Sequence, residues 1–432
     1  MKILGMFSAA VVAAIMAASG MFLTSGVSGS PINSQASRVE KRFGKGGDMI
    51  RGVNLGGWLV IEPWIRPSLF KQFENVSQDK VAVDEWTFCE KLGKSRCKAQ
   101  LQRHWNEWVT EDDIRYLASN GINHIRIPIG YWALANDPKE PYVDGQVPYL
   151  EKAIGWARSA GINVILDLHG APGSQNGFDN SGRFGPINWL KDQSSHDRTL
   201  AALQELAKIA AKHSDTVDIL QFVNEPANWG LDMKNVVSFY DTAYDKIRKI
   251  APDVVLALHD SFLPLERWHK LRNPDWQNMI MDTHIYHVFD NGQLRQSHEG
   301  HLKMTKDNGN NIAVFNPTMW TITGEWSLAT SDCARWLNGF RKGSRWEGTL
   351  GSSDGQPQCP TSPNCSCAGG DDGGNDASKF SSAYNKFLAD FARAQISAYE
   401  KGSGWVFWNF KTEEAPQWSY IKGLQEGWIP KL

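Results

Sequence analysis

The stretch ILQFVNEPANWG, residues 219–230, is decisive for the fold of this chain. Its opening run of large, mostly apolar residues is typical of a strand buried on both faces. Asn224 and Glu225 interrupt this run at its far end, and Pro226 follows directly. Polar groups at the mouth of a buried strand are costly unless they are paired or used. The stretch therefore predicts a buried strand that ends on functional side chains.

The same kind of segment recurs along the chain and alternates with helical stretches. In 199–212, for example, Leu200, Leu203, Ala207 and Ala210 share one face at helical spacing. Eight buried strands alternating with helices predict an α/β fold, a (β/α)8 TIM barrel. A doubly wound sheet is the alternative, but no Gly-rich phosphate loop opens any helix. The eight candidate strands are 49–58, 124–130, 163–170, 219–226, 254–260, 279–289, 319–326 and 404–410.

Composition narrows the class of protein. With 432 residues of which 41% are apolar, the chain can bury a large core, so general disorder is excluded. The net charge of −2 and the lack of a basic block argue against a nucleic-acid partner. Among 19 tryptophans we expect most to fill the core and a few to line a site, where an indole can stack on a sugar ring.

The N-terminus predicts an exported protein. One Lys precedes an apolar, small-residue-rich stretch, which is typical of a signal peptide, although a signal anchor is the alternative. Lys41-Arg42 is typical of a processing site. We therefore expect residues 1–42 to be signal peptide and propeptide, and 43–432 to be a single (β/α)8 domain that is secreted, extracellular or in a cell wall.

Six cysteines fit an oxidising compartment. The cluster C-P-T-S-P-N-C-S-C lacks paired CxxC knuckles, so disulfides are favoured over metal binding, with connectivity left open. Residues 349–379 are rich in Gly, Ser, Asp and Cys, and we expect a solvated loop on the C-terminal face rather than a calcium site. Asn75 and Asn364 stand in glycosylation sequons that are usable only if exposed.

Polar side chains collect at the strand ends. In a barrel these ends converge on one face, where active sites of this fold lie. Two carboxylates, Glu225 and Glu325, then face each other and suit glycoside hydrolysis, one as acid and one as nucleophile or electrostatic stabiliser. No G-x-S-x-G elbow is present, and His284 and His287 point to opposite faces of a strand, so they cannot chelate one metal. The strand-end residues are Arg126, Asp167, His169, Asn224, Glu225, His284, Tyr286, Glu325 and Trp408.

From about Arg51 to the C-terminus, the chain resembles the secreted exo-β-1,3-glucanases of glycoside hydrolase family 5 from fungi and oomycetes. The motifs that carry the resemblance are specific together, because several exceed ten residues. They are RGVNLGGWLVIEPW, HIRIPIGYW, DLHGAPGSQNGFDNSG, FVNEP, THIYHVF, TGEWSLATSDCARWLNG and FWNFKTEEAPQWS.

This resemblance implies a retaining mechanism with Glu225 as general acid/base and Glu325 as nucleophile. Asn224 would bond the 2-hydroxyl of the sugar. We expect Arg126 and Tyr286 to hold Glu325 ionised and a drier setting to raise the pKa of Glu225. The pocket for the nonreducing-end glucose would be shaped by Arg126, His169, Asn224, His284, Tyr286 and Trp408, its hydroxyls bound by Glu62 and Asp179, and its entrance flanked by Phe178 and Phe289.

The expected partner is a β-glucan, the expected enzyme is a monomer, and no metal or cofactor is expected. The chain departs from the family pattern in ANWG after N-E-P, where L-G is usual, in Trp64, and in the loop at 349–379. Linkage preference is therefore open, with β-1,6-glucan, mixed-linkage glucan or glucosides as alternatives. A glucan-binding protein on an inactive barrel is disfavoured because Glu225 and Glu325 are both present.

Overall fold

The computed structural model describes residues 49–351, 355–360, 365–368 and 372–432. The expected leader at 1–42 and the Asn364 sequon lie outside these residues, whereas Asn75 is exposed. Eight parallel strands pair in chain order and close into a barrel. The predicted (β/α)8 barrel is confirmed. Its strands are β1 Ile50–Asn54, β2 His124–Gly130, β3 Asn163–Gly170, β4 Val217–Gln221, β5 Val255–His259, β6 Met279–Ile285, β7 Thr321–Trp326 and β8 Gly404–Phe407.

Helices follow the strands and surround the barrel, although only a short helix separates β5 from β6. The longest, α6 (Gln193–Lys212), begins after Asp192, whose side chain accepts a hydrogen bond from the Ser195 amide. Its predicted apolar face is buried. In the described residues the α-helices are α1 Pro67–Phe70, α2 Glu85–Leu92, α3 Lys94–Trp108, α4 Glu111–Ser119, α5 Val147–Ala160, α6 Gln193–Lys212, α7 Met233–Arg248, α8 Trp268–Leu271, α9 Asn291–Leu294, α10 His298–Phe315, α11 Ser382–Tyr399 and α12 Tyr420–Gln425.

The barrel interior has an aliphatic layer below a polar one. Side chains on a strand alternate between faces, so the residue two positions after an inward Ile also points inward. Asp167 follows Ile165 in this way, and Gln221 follows Ile219. The aliphatic layer thus supports a polar layer at the C-terminal mouth. Its members are Ile50, Ile165, Ile219, Val255, Ala257, Ile280, Ile322 and Val406.

All six cysteines form disulfides, as predicted, and the structure supplies the connectivity that the sequence left open. The pairs are Cys89–Cys97, Cys333–Cys367 and Cys359–Cys365. Within the described part of the chain, none of the helices combines the length and apolar character needed to cross a bilayer.

The loop at 349–379 is less solvated than expected. Cys359 and Cys367 are buried. The carbonyl of Gly373 accepts a hydrogen bond from the Ser331 hydroxyl, and Asn375 Nδ2 donates to the Cys333 carbonyl at 2.6 Å. The described part of the loop is therefore only partly solvated, because the Cys333–Cys367 bridge and these bonds hold it against the segment that follows β7.

Candidate active site

The segment that carries Glu225 lies just beyond a strand. β4 ends at Gln221, earlier than the sequence suggested. The Asn224 amide still donates to the Leu168 carbonyl of β3 at 3.0 Å, which fixes the segment against the barrel. Glu225 has a φ of +51°, a left-handed conformation that is uncommon for this residue type. Such backbone strain persists only where surrounding structure enforces it, and it is frequent at functional sites.

Glu325, near the end of β7, is buried among three donors. Tyr286 Oη donates to Oε2 at 2.7 Å, and Arg126 Nη1 donates to Oε1 at 3.0 Å. His284 Nδ1 lies 3.4 Å from Oε2. The structure therefore brings these four predicted site residues into one cluster.

Glu225 faces the same histidine. His284 Nδ1 lies 2.8 Å from Glu225 Oε1, and Asn180 Nδ2 donates to Oε2 at 3.0 Å. Because one nitrogen of His284 contacts both Glu225 and Glu325, the contacted oxygens can be no farther apart than the sum of the two distances. The two carboxyls therefore lie on either side of one imidazole nitrogen. Asn180 was not among the predicted site residues.

His284 also decides how the two carboxyls titrate. Burial alone would lower its pKa, but the charges of Glu325 and Asp282 raise the pKa well above the usual range. Burial would likewise raise the pKa of Glu225, but the hydrogen bond and charge of His284 outweigh burial, and the net direction is downward. The expectation that Glu225 has a raised pKa is therefore wrong for the free site. The contact between the two residues therefore favours a protonated His284 beside an ionised Glu225.

The pKa of Glu325 also shifts in the direction opposite to the expectation. Burial raises its pKa, the charge of His284 lowers it, and the charge of Glu225 raises it, so that the net direction is upward. Arg126 and Tyr286 are in place as predicted, but burial beside a second carboxylate outweighs them in the free site. The two carboxyls and His284 thus form one coupled group, as close titratable neighbours do.

Arg126 organises the floor of the site and is fully buried. Its Nε donates to Gln221 Oε1, Nη1 to Asn54 Oδ1 and Nη2 to Asn224 Oδ1, each at 2.8 Å. Nη2 also lies 3.1 Å from Asp167 Oδ2. The sequence analysis missed Asn54 and Gln221, although both occupy inward positions at the carboxyl ends of β1 and β4. That alternation was the signal that could have identified them.

His169 and Trp408 form a flat wall of the site. Their rings stack with centroids 5.5 Å apart and planes 5° apart. His169 Nδ1 lies 2.7 Å from Asp167 Oδ2, whereas its buried Nε2 has no hydrogen-bond partner in the protein. The wall therefore combines an indole face with a polar atom available to a ligand.

Glu62 and Asp179 each keep a buried carboxyl oxygen without a protein partner. Glu62 Oε2 accepts from Trp64 Nε1 at 2.9 Å, while Oε1 has no partner. Burial first, and the charge of Asp179 second, raise the pKa of Glu62 well above its usual range. Burial raises the pKa of Asp179 to about 7. Since buried polar groups are normally hydrogen-bonded, both carboxyls are candidates to bind a polar ligand.

Phe178 and Phe289 are both partly exposed, at 41% and 42%. Phe289 packs edge-on against Tyr286, with ring centroids 5.3 Å apart. The ring of Phe178 packs beside that of Trp229, with centroids 6.0 Å apart. Both rings therefore contact aromatic neighbours and still present surface to solvent. The sequence analysis did not single out Trp229, although it stands in the ANWG departure.

Glu225, His259 and His284 offer ligand atoms within 4.8 Å of one another, a spacing that permits metal binding. Metal binding there would have to displace the proton that the surrounding carboxylates favour on His284, because only a neutral imidazole ligates a metal. The group is better described as a hydrogen-bonded acid–base cluster. His287, the other half of the H-x-x-H motif, contacts His301 instead, with their Nδ1 atoms 3.2 Å apart.

Several known proteins are similar to this chain in sequence or in fold. The model of the cellulase family, glycosyl hydrolase family 5, matches residues 91–334. A glucan 1,3-beta-glucosidase from Blumeria graminis is 43% identical over 386 residues, which cover 88% of this chain and 87% of that protein. A probable glucan 1,3-beta-glucosidase A from Emericella nidulans is 42% identical over 387 residues, 89% of this chain and 90% of that protein.

Among solved structures, rutinosidase from Aspergillus niger superposes with a TM-score of 0.68 over 88% of this chain and 97% of its own. At 19% sequence identity this likeness shows the barrel fold alone. The family match and the curated relatives carry the assignment further. This chain belongs to glycosyl hydrolase family 5.

Proposed function

We propose that this protein is a retaining exo-β-1,3-glucosidase that releases glucose from the nonreducing ends of β-glucans. The observation that carries the proposal is the placement of Glu225 and Glu325 around one nitrogen of His284 at the barrel mouth. The relatives from Blumeria graminis and Emericella nidulans, whose names specify glucan 1,3-beta-glucosidases, support the choice of substrate.

In the proposed mechanism Glu325 attacks the anomeric carbon while Glu225 protonates the leaving glycosidic oxygen. Water then attacks the glucosyl–enzyme ester, and Glu225 takes its proton. The shared contact of both carboxylates with His284 Nδ1 supports this double displacement, in which the two carboxyls face the same anomeric centre. The left-handed backbone at Glu225 supports its role as a positioned acid.

Before the first step, the acid proton has to be on Glu225. In the free site His284 holds a proton 2.8 Å from Glu225 Oε1. Transfer along this hydrogen bond gives the protonated acid and a neutral imidazole without any change in the net charge of the site. The raised pKa of Glu325 falls when Glu225 loses its negative charge, because a neighbouring carboxylate is one of its causes.

The glucose in the proposed pocket would satisfy buried atoms that have no protein partner. These are one oxygen each of Glu62 and Asp179, His169 Nε2 and Asn224 Nδ2. Asn224 Nδ2 suits the 2-hydroxyl, since its Oδ1 is already bonded to Arg126 and its orientation is therefore fixed. Trp408 offers its indole face to the apolar side of the sugar ring.

Retention can be tested by proton NMR on laminarin. We expect β-glucose as the first product, followed by slow mutarotation, whereas α-glucose first would overturn the mechanism. Product analysis on laminarin, pustulan and lichenan separates a β-1,3 preference from the β-1,6 and mixed-linkage alternatives. Glu325→Ser provides the inactive control. An aryl-β-glucoside assay excludes a purely glucan-binding protein if the wild type turns over and this variant does not.

We also propose that the enzyme is secreted as a monomer and acts at a cell wall. Three disulfides and the apolar N-terminal stretch support export, since disulfides persist in oxidising compartments. N-terminal sequencing of protein from culture medium should read from Phe43, directly after Lys41-Arg42. A chain that keeps residues 1–42 would contradict the processing site.

A further inference from the structure

Trp229 presents a largely free indole at the barrel mouth. It is 49% exposed, which is unusual for the largest apolar side chain. The centroid of its ring lies 6.0 Å from that of Phe178 and 5.0 Å from that of Phe262, and both neighbouring rings are tilted against it rather than stacked. The three rings therefore form a continuous aromatic stripe, defined here as Phe178, Trp229 and Phe262.

The backbone around Trp229 is firmly held. The Ala227 amide donates to the Gln175 carbonyl at 3.0 Å, and Asn228 Nδ2 donates to the Ser261 carbonyl at 2.6 Å. Gly230 packs so closely on Ile187 that an added Cβ would lie 2.3 Å from its Cδ1. The exposed ring is thus carried by a fixed segment, which lowers the entropy cost of binding a ligand.

The stripe begins beside the proposed acid. Phe178 is two residues before Asn180, whose Nδ2 bonds Glu225 Oε2, and Trp229 is four residues after Glu225. In the proposed mechanism the sugar chain that leaves departs from the Glu225 side, since Glu225 protonates its oxygen. The other end of the stripe also lies near the acid, because the Phe262 ring is 5.1 Å from that of His259, which in turn is 4.3 Å from that of His284. The stripe therefore lies on the Glu225 side of the site, where the leaving chain continues.

We propose that Trp229 is a stacking platform for a glucosyl unit of the leaving part of the glucan, beyond the unit next to the scissile bond. This inference rests on the proposed function. The apolar face of a pyranose suits an exposed indole, and few charged groups are needed for such a contact. The platform would favour longer glucans over short oligosaccharides and would not contact an aryl glucoside, which has no second sugar.

The test compares kcat/KM for laminari-oligosaccharides from two to six glucose units and for an aryl-β-glucoside. We expect the wild-type value to rise with chain length and Trp229→Ala to lose about 3- to 10-fold on the longer substrates only, as aromatic contacts of this kind contribute. Trp229→Phe should restore part of the loss. Tyr116→Ala is the matched control, because Tyr116 is another exposed aromatic residue, 39% exposed, on α4.

The outcomes separate the inference from the function. Equal losses on all substrates, or none on any, would overturn the platform while leaving a β-glucosidase in place. A wild type that hydrolyses no β-glucan would overturn the proposed function and the platform with it. Calorimetry of laminarihexaose on Glu325→Ser, with and without Trp229→Ala, provides a readout without turnover, and affinities that agree within twofold would also reject the platform.

Discussion

His284 Nδ1 lies 2.8 Å from Glu225 Oε1, and this single contact links the titration of the whole site. The cation of His284 opposes the effect of burial on the pKa of both Glu225 and Glu325. A histidine in this position therefore does more than bind a hydroxyl. Its charge keeps the pKa of the two buried carboxyls lower than burial alone would make it.

Replacing His284 should accordingly move the pH profile. In His284→Gln the positive charge is lost, so the pKa of both carboxyls rises, and the acidic limb of the kcat/KM profile, which reports ionisation of the nucleophile Glu325, should shift to higher pH. His259→Gln is the control, since burial lowers the pKa of His259 well below its usual range and the replacement is neutral for neutral. A shift to lower pH in His284→Gln would contradict the coupling.

The two carboxyls should respond differently to the leaving group. Glu325→Ser should lose nearly all turnover on every substrate, because no other side chain here can replace the nucleophile. Glu225→Gln should lose about 10²–10⁴-fold on glucans, which need protonation, and much less on activated aryl glucosides. Steady-state kinetics on both substrates measure the contrast. Equal losses of Glu225→Gln on the two would refute its role as the acid.

Arg126 should matter for stability as well as activity. Arg126→Met leaves Asp167 and Glu325 buried beside a neutral side chain, and breaking such a buried pair costs about 3–5 kcal/mol. Arg126→Lys retains the charge but loses the planar guanidinium that reaches several acceptors, so we expect a smaller loss of stability with a large loss of activity. Urea unfolding of the two variants measures this difference. An Arg126→Lys variant less stable than Arg126→Met would contradict the prediction.

Glu85 should make stability fall as the pH rises. It is buried, Ile61 N donates to Oε2 at 3.0 Å and Trp132 Nε1 to Oε1 at 2.8 Å, yet burial raises its pKa to about 8. The folded state therefore holds this proton more tightly than the unfolded state does. Its contribution is fully present below pH 4.5 and is lost as the pH rises toward about 8.

The measurement for Glu85 is the free energy of unfolding across this pH range. We expect the wild type to lose stability with rising pH relative to Glu85→Gln, which carries no titrating proton at this position. The Gln variant is expected to be less stable at low pH, where the wild type has its full contribution. Parallel curves for the two proteins would show that Glu85 has the same pKa in the folded and unfolded states, and would contradict the prediction.

The sequence predicted the barrel well because its strands are buried on both faces and therefore stand out as apolar runs. It also predicted Glu225 and Glu325, since each follows such a run. Asn54 and Gln221 were missed because their importance depends on which inward side chains meet across the barrel. That meeting is set by strand register, for example Asn54 opposite Arg126, which no single segment encodes.

The errors have physical causes of the same kind. The pKa of Glu225 depends on a histidine 59 residues away, and the sequence gives no distance between them. The composition of residues 349–379 favours a solvated loop, but a disulfide joins Cys367 to Cys333, which lies 34 residues earlier in the chain. In both cases a long-range contact outweighs what the local sequence favours.

The last prediction concerns exo action. A barrel mouth is open by default, and closing it to a pocket requires long loops, such as those after β3 and β7. The rings of Phe178 and Phe289 are both partly exposed, and we expect them to form an aromatic gate around the glucose beyond the cut. Phe178→Ala and Phe289→Ala should each weaken oligosaccharide binding by about 1–3 kcal/mol while changing aryl-glucoside hydrolysis less.

The wild type provides the decisive comparison for this gate. With a closed pocket, laminarin should release glucose from the start with little early loss of viscosity, because each cut shortens the chain by one unit. Mixed oligosaccharides in the first minutes would instead indicate an open groove that binds the middle of the chain. In that case the two rings only pack against neighbouring side chains, Phe178 on Trp229 and Phe289 on Tyr286. The exo assignment would then have to be withdrawn.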